Sequence, residues 1–156
     1  MPDANIMSLT AESLRDVLQQ AGYRTEIVAD QAGTPHLRSA TNGLAFTVGF
    51  GNRLASVDET YVDATFVSVL QVDGQLPLDL VNRWNGARRF SRLHLGQGLL
   101  ILEMDFSVVG GVSADHLRAQ VEIWDRLVQE LFHYLRRELA HLAAENPAAV
   151  LPVAAA

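Results

Sequence analysis

A single apolar stripe near the C-terminal end of the chain constrains its fold more than any other feature. Eight apolar residues recur there at alternating steps of mostly four and three: Leu117, Val121, Trp124, Val128, Leu131, Leu135, Leu139 and Leu142. This spacing is that of one face of an α-helix. Ser113 can cap the first turn and Asp115 suits the helix dipole, so we predict a helix from about Ser113 to about His141.

The apolar arc of this predicted helix is wide. With its apolar flanking residues it covers roughly half of the circumference, whereas a simple surface helix needs only ~100°. One part of the arc can therefore lie on a sheet while another part meets a second helix, which belongs either to the same chain or to a second copy. We expect four residues, which we call the helix seam, to contact a second copy or another partner: Trp124, Val128, Leu131 and Leu135.

Six segments before this helix show the pattern of strands, in which apolar side chains recur at every second position. They span residues 24–28, 36–40, 44–50, 61–72, 90–95 and 99–108. Two further helices are predicted. The first follows Thr10, which can cap it, and ends at Gly22. The second begins at Pro77 and ends at Gly86, where glycine can adopt the left-handed conformation.

The resulting order of elements is α-β-β-β-β-α-β-β-α. Runs of antiparallel strands with separated helices are typical of an α+β fold, in which helices pack on an antiparallel sheet. The length of 156 residues suits one domain. We assign residues 1–142 to this domain and residues 143–156, which are rich in Ala and Pro, to a flexible tail.

Composition argues against several classes of function. The chain has no cysteine, which excludes disulfides, thiolate metal sites and a cysteine nucleophile. A net charge of −6 argues against nucleic-acid binding, which needs a basic surface. No apolar run approaches the roughly 20 residues of a membrane span, and the first residues lack the pattern of a signal peptide. We therefore expect a cytoplasmic protein with no nucleic-acid or membrane partner.

Few residues point to chemistry. The five histidines lack the spacing of metal ligands, so we expect no metal and no cofactor. Glu103 and Asp105 share one face of a strand and could act as an acid–base pair. Ion pairs with Arg89 and Arg92 on the neighbouring strand account for the two carboxylates more simply. We expect no enzymatic activity.

Four arginines cluster around the start of the fifth strand: Arg83, Arg88, Arg89 and Arg92. Such a cluster can bind a phosphate or an acidic peptide, or it can pair with nearby carboxylates, among them Asp79. Asn82 and Asn85 flank Trp84 in the same region. They could hydrogen-bond a ligand, although amides in such positions usually satisfy nearby backbone.

One central segment resembles a known family. The stretches that carry the resemblance are Leu80-Val81-Asn82-Arg83-Trp84-Asn85, Arg89-Phe90-Ser91-Arg92, Leu102-Glu103-Met104-Asp105 and Gly110-Gly111-Val112-Ser113. On these residues the chain resembles the YbjN family of bacterial sensory transduction regulators. The resemblance implies a fold similar to type III secretion chaperones, a commonly dimeric state and a non-enzymatic role in the bacterial cytoplasm. It implies no catalytic residue, and its signature positions are Asn82, Trp84, Asn85, Arg89 and Phe90.

Two functions follow as hypotheses. The first is a homodimeric regulatory or chaperone-like domain that binds another protein or peptide through apolar surface on the last helix and the last hairpin. The second is a sensor of a small molecule or an anion, with a pocket near Trp84 and the arginine cluster. The residues expected to bind in that pocket are Asn82, Trp84, Asn85, Arg89, Phe90 and Arg92.

Overall fold

The computed structural model describes residues 4–54, 59–145 and 152–154. The helices are α1 (Ala11–Gln20), α2 (Leu78–Ala87) and α3 (Ala114–Glu145). The strands are β1 (Glu26–Ala29), β2 (Pro35–Thr41), β3 (Leu44–Phe50), β4 (Asp63–Val72), β5 (Ser91–Gly96), β6 (Leu99–Ser107) and β7 (Pro152–Ala154). The predicted succession α-β-β-β-β-α-β-β-α is confirmed, and β7 follows it.

The strands form one antiparallel sheet in the order β1-β2-β3-β4-β6-β5. Four strands cross the sheet as a meander. After α2 the chain returns at the far edge as β5, and β6 then fills the place beside β4. The pairing of β4 with β6 extends from Asp63 opposite Ser107 to Gln71 opposite Leu99. The predicted α+β fold, an antiparallel sheet with helices packed on it, is confirmed.

The alternation of side chains decides which face of the sheet is buried. Phe66 and Leu70 of β4, together with Leu102 and Met104 of β6, point to one face and are almost wholly inaccessible to solvent. These side chains and the apolar faces of all three helices form one core. The alternate side chains of each strand point to the opposite face of the sheet, outside that core.

The helix seam lies inside the core of a single protomer. Four side chains expose between 0 % and 4 % of their surface: Trp124, Val128, Leu131 and Leu135. The ring of Trp124 stacks on Phe66 of the sheet, with the centroids 5.3 Å apart. The expectation that these residues meet a second copy is therefore wrong. One chain supplies the sheet and also two neighbouring helices, so it covers the wide apolar arc by itself.

The predicted starts of the first and last helices are confirmed. The Thr10 hydroxyl accepts a hydrogen bond from the backbone N–H of Ser13 at 3.0 Å, and the Ser13 hydroxyl accepts one from the backbone N–H of Thr10 at 2.9 Å. Ser113 caps α3 in the same way by accepting from the N–H of His116 at 3.1 Å. Gly22 follows α1 with a φ of 95°, as a left-handed residue at a helix end should.

The predicted end of α2 is wrong. The helix passes through Gly86 and ends at Ala87, because the N–H of Arg88 still reaches the carbonyl of Trp84 at 3.1 Å. The left-handed residue of this turn is Phe90, with a φ of 73°. The left-handed residue of this turn is therefore not Gly86 but the bulky Phe90, four residues later.

The C-terminal boundary also differs from the prediction. α3 continues past position 142 to Glu145, and Pro152–Ala154 pairs antiparallel with Leu70–Val72 of β4. The other positions of the predicted tail, 146–151 and 155–156, lie outside the described residues. No helix in the described part of the chain combines the length and the hydropathy that crossing a bilayer requires.

Candidate functional site

The junction where α2 turns into β5 contains most of the predicted binding residues. Trp84 is fully buried there. Its indole Nε1 donates to the hydroxyl of Ser91 at 3.1 Å, and its ring meets Tyr134 of α3 edge-on at 5.3 Å between centroids. The indole therefore has no polar atom left for a ligand. Its contacts hold α2 against β5 and α3.

Asn85 is also committed to the fold. Its side-chain oxygen accepts from the N–H of Leu93 at 2.8 Å, and its Nδ2 donates to the carbonyl of the same residue at 2.9 Å. Asn82 lies three residues earlier in the same helix and is exposed, and its side chain makes no hydrogen bond within the described residues. The two asparagines thus do not form one recognition pair. The Asn85 side chain binds backbone, whereas that of Asn82 has no partner in the described part of the chain.

The arginine cluster divides between ion pairs and unpaired side chains. Arg92 pairs with Glu103 at 2.6 Å and also with Asp105 on the neighbouring strand β6. The pairing predicted for Arg92 is therefore confirmed. The hydrogen bond from Arg92 holds the pKa of Asp105 below its usual value, and the bond to Asp105 raises the pKa of Arg92. Arg83 binds Asp79 at 3.3 Å and also pairs with α3.

Arg89 forms none of the predicted pairs. It is exposed and makes no ion pair with any described residue. The neighbouring Arg88 is instead held firmly. Its guanidinium carbon lies 4.0 Å from the ring centroid of Trp84 and 4.9 Å from that of Tyr134, and its Nε donates to Glu130 at 3.3 Å. Stacking on two rings fixes the plane of a side chain that is otherwise flexible.

A cavity of about 250 Å³ opens beside Arg88, between the 87–90 turn and one face of α3. We call it the arginine pocket. Its lining residues are Ala87, Arg88, Arg89, Phe90, Ile123, Arg126, Leu127 and Glu130. The α3 residues of this wall follow helical spacing, but nothing in the sequence indicates that they face the α2–β5 turn. Sequence reasoning therefore missed the role of Arg126.

Phe90 lines the arginine pocket, and both its exposed ring and its backbone conformation are energetically unfavourable. It exposes 65 % of its surface and adopts the left-handed backbone conformation. A bulky residue with positive φ costs about 1–3 kcal/mol, and such strain concentrates at functional sites. An exposed aromatic ring on a strained backbone is unusual in a turn whose only task is to connect two elements.

A second feature lies on the face of the sheet opposite the core. Val69 of β4 is directly opposite Ile101 of β6, and Leu99 and Val67 are their neighbours along the two strands. All four are partly exposed, and none packs against the core. We call these four residues the open-face patch. A face left to solvent is normally polar, so an aliphatic group at this position needs a reason.

The described residues offer little for catalysis. No group of three or more His, Asp or Glu side chains among them could hold a metal ion. Glu103 and Asp105 share the same arginine partner. This arrangement is a cross-strand ion-pair ladder, in which one guanidinium binds both carboxylates.

Comparison with known proteins places the chain in a family. The YbjN family model, described as "Putative bacterial sensory transduction regulator", matches residues 10–137. No curated protein and no solved structure matches the chain. The matched span runs from the cap of α1 through most of α3 and contains both the arginine pocket and the open-face patch. Because the match covers most of its length, this protein belongs to the YbjN family, whose members are described as sensory transduction regulators.

Proposed function

We propose that this YbjN-family chain is a non-enzymatic regulatory domain of the bacterial cytoplasm that acts by binding proteins, and that it forms a homodimer through the open-face patch. The observation that carries the proposal is the patch itself. Four aliphatic side chains lie together in register on two interior strands, outside the core that the helices cover. Contiguous apolar surface of this kind marks interaction sites in proteins.

The position of the patch favours a second copy of the chain as its occupant. Among the described residues, β6 lies between β4 and β5, and β4 is flanked by β6 on one side and by β3 and β7 on the other, so the backbone around the patch is largely paired already. Side chains in such a place are covered by another layer, and sheets stack face to face about 10 Å apart. Two identical patches related by a twofold axis match each other, as a symmetric dimer requires.

Most charged residues around the patch already have a partner within the chain. Arg92 binds both Glu103 and Asp105, which leaves one net negative charge at that end of the patch. Near the opposite edge of the sheet, Arg38 pairs with Glu26 at 2.9 Å. A twofold dimer centred on the aliphatic side chains keeps the two acidic ends apart, since like charges in contact would oppose association. A different protein or an extended peptide is the other possible occupant of this surface, and the experiment below distinguishes it.

The experiment measures molar mass by size-exclusion chromatography with light scattering across the micromolar range. Val69→Asp places a carboxylate opposite Ile101, in the middle of the patch. We expect the wild type to dimerise and the variant to dissociate with a dimer Kd raised by at least about ten-fold, which corresponds to ~1.4 kcal/mol. Circular dichroism checks that the variant is folded. Val69→Thr, which keeps the shape of valine, weakens the dimer less and serves if the aspartate prevents folding.

Val109→Asp is the matched control. Val109 is highly exposed in the turn between β6 and α3 and lies outside the patch, so the same substitution there leaves dimerisation unchanged. A wild type that stays monomeric at all concentrations contradicts the homodimer and leaves a different protein as the occupant. A dimer that survives Val69→Asp shows that another surface holds the copies together.

A further inference from the structure

We propose that the arginine pocket is a binding site for a small organic oxyanion, in which a carboxylate or a phosphate group is joined to a flat apolar body. This site is independent of the open-face patch. The pocket combines three guanidinium groups, one of them held rigidly, with an apolar wall and an exposed aromatic ring. The guanidinium groups suit the charged head group of the ligand, and the apolar side chains suit its flat body.

The charged half of the pocket has more arginines than the fold uses. Glu130 is the one carboxylate in its wall, and it already accepts from the Nε of Arg88. Arg89 and Arg126 make no ion pair with any described residue. Three positive charges therefore face one negative charge, in a chain whose net charge is −6.

The excess of positive charge in the pocket is present even though carboxylates lie near Arg126 in the sequence. Glu122 and Glu130 lie four residues before and after it on α3, a spacing that normally allows ion pairs on a helix. Arg126 pairs with neither of them and instead lines the cavity. Its guanidinium is available to an anion from outside the chain. Guanidinium groups bind carboxylates and phosphates with two parallel hydrogen bonds, so both head groups suit the site.

The apolar half of the pocket selects the body of the ligand. Ile123 and Leu127 form the wall on α3, and the ring of Phe90 stands exposed at the mouth. A flat or aromatic body can pack between these side chains and the ring. The cavity of about 250 Å³ is small beside the ~300–1,000 Å³ typical of drug-sized ligands, so the ligand has few non-hydrogen atoms.

The test is a calorimetric titration of the full chain with four probes: benzoate, phenyl phosphate, inorganic phosphate and the uncharged benzamide. We expect benzoate or phenyl phosphate to bind with one-to-one saturation and at least about ten-fold more tightly than benzamide. The stronger of the two identifies the head group. Inorganic phosphate should bind more weakly than phenyl phosphate, because it lacks the apolar body.

Two variants test the two halves of the pocket. Arg89→Gln combined with Arg126→Gln should weaken the binding of the better probe by at least about ten-fold, and Phe90→Gly should weaken it less, by about three-fold or more. The matched control is Arg24→Gln combined with Arg136→Gln. It removes the same charge from two exposed arginines that make no ion pair within the described residues and lie outside the pocket.

Each outcome of the titrations either supports or overturns the proposed site. Binding of either anion that is lost in the pocket variant and kept in the control variant supports the site. The proposal is overturned if both anions bind no better than benzamide, or if the pocket variant binds as the wild type does. Equal loss in both double variants also overturns it, since the anion would then respond only to net charge. The oligomeric state of Val69→Asp reports on the open-face patch alone.

Discussion

The side chain of Asn85 pairs with the backbone of Leu93 in the way that a neighbouring strand would. β5 is the last strand on its side of the sheet, so these backbone groups belong to an exposed edge. The Asn85 side chain, on α2, therefore provides the hydrogen bonds that the N–H and carbonyl of Leu93 would otherwise lack at this edge. Unprotected edges invite pairing with other chains, and proteins commonly cover them.

Loss of this contact should affect stability and edge protection together. Asn85→Ala is expected to lower the free energy of unfolding by about 1–2 kcal/mol, because two backbone groups lose their partner while water can replace part of the loss. Hydrogen exchange should accelerate at the amide of Leu93. Urea unfolding and exchange measured by NMR check both effects. Asn82→Ala, on the same helix, should change stability by no more than about 0.5 kcal/mol, and similar losses in both variants would contradict this role of Asn85.

The burial of the helix seam leads to a prediction about stability rather than association. Trp124→Ala removes a ring that stacks on Phe66 in the core, and such a truncation costs about 3–5 kcal/mol. The loss should be the same at low and high protein concentration in urea unfolding. Leu131→Ala, with an expected cost of about 2–5 kcal/mol, serves if Trp124→Ala does not fold. A variant that only dissociates a dimer would mean that the seam is an interface.

Arg88 and Arg89 are neighbours in sequence with different environments, so the same substitution should have different effects. Arg88→Lys keeps the charge but loses the planar group that stacks on Trp84 and Tyr134, at a cost of about 1 kcal/mol. Arg89→Lys should be neutral within about 0.5 kcal/mol, because Arg89 is exposed and forms no ion pair with the residues that the structure describes. Chemical unfolding of both variants measures the difference. Equal effects would show that the rings do not hold Arg88.

The ladder between Arg92 and Asp105 should stabilise the fold only above acidic pH. The pKa of Asp105 is lowered in the folded state, so its contribution is complete above the unfolded value and disappears as the pH falls through the lower folded value. Both side chains are about half exposed, which limits the contribution to about 0.2–1 kcal/mol. Asp105→Asn should therefore be less stable than the wild type near neutral pH and equal to it in strong acid.

Salt provides the control for this ladder. Concentrated NaCl, about 1 M, should reduce the neutral-pH difference between the wild type and Asp105→Asn, since exposed charges are screened. A difference that persists unchanged in acid and in high salt would instead point to packing, and not charge, as the role of Asp105.

The strained turn at Phe90 permits a test that compares two small residues. Both Phe90→Gly and Phe90→Ala remove the ring, but only glycine adopts a φ of 73° without steric cost. The glycine variant should be more stable than the alanine variant by about 1 kcal/mol, measured by thermal or urea unfolding. An alanine variant of equal or higher stability would indicate that the turn changes conformation when the ring is absent.

Features set by neighbouring residues were predictable. Thr10 and Ser113 cap their helices because each hydroxyl reaches an amide three residues ahead, a distance that local geometry determines. Arg92 meets Glu103 because a tight turn sets the register of the β5–β6 hairpin. Arg89 fails the same rule because it precedes the left-handed Phe90 and is not part of the strand. Strand alternation applies only within the strand.

The sequence by itself determined the order of elements, the antiparallel hairpin, the α+β class and the family, because each depends on periodicity or on short motifs. Only the tertiary structure decided what covers the wide arc of α3 and what Arg126 faces. Helical spacing specifies that a face is apolar, but the partner of that face comes from elements distant in the chain. Helical spacing therefore identifies Trp124 as an apolar residue, but only the fold shows that its partner is Phe66 of the same chain. The arginine pocket likewise exists only because α3 packs beside the α2–β5 turn.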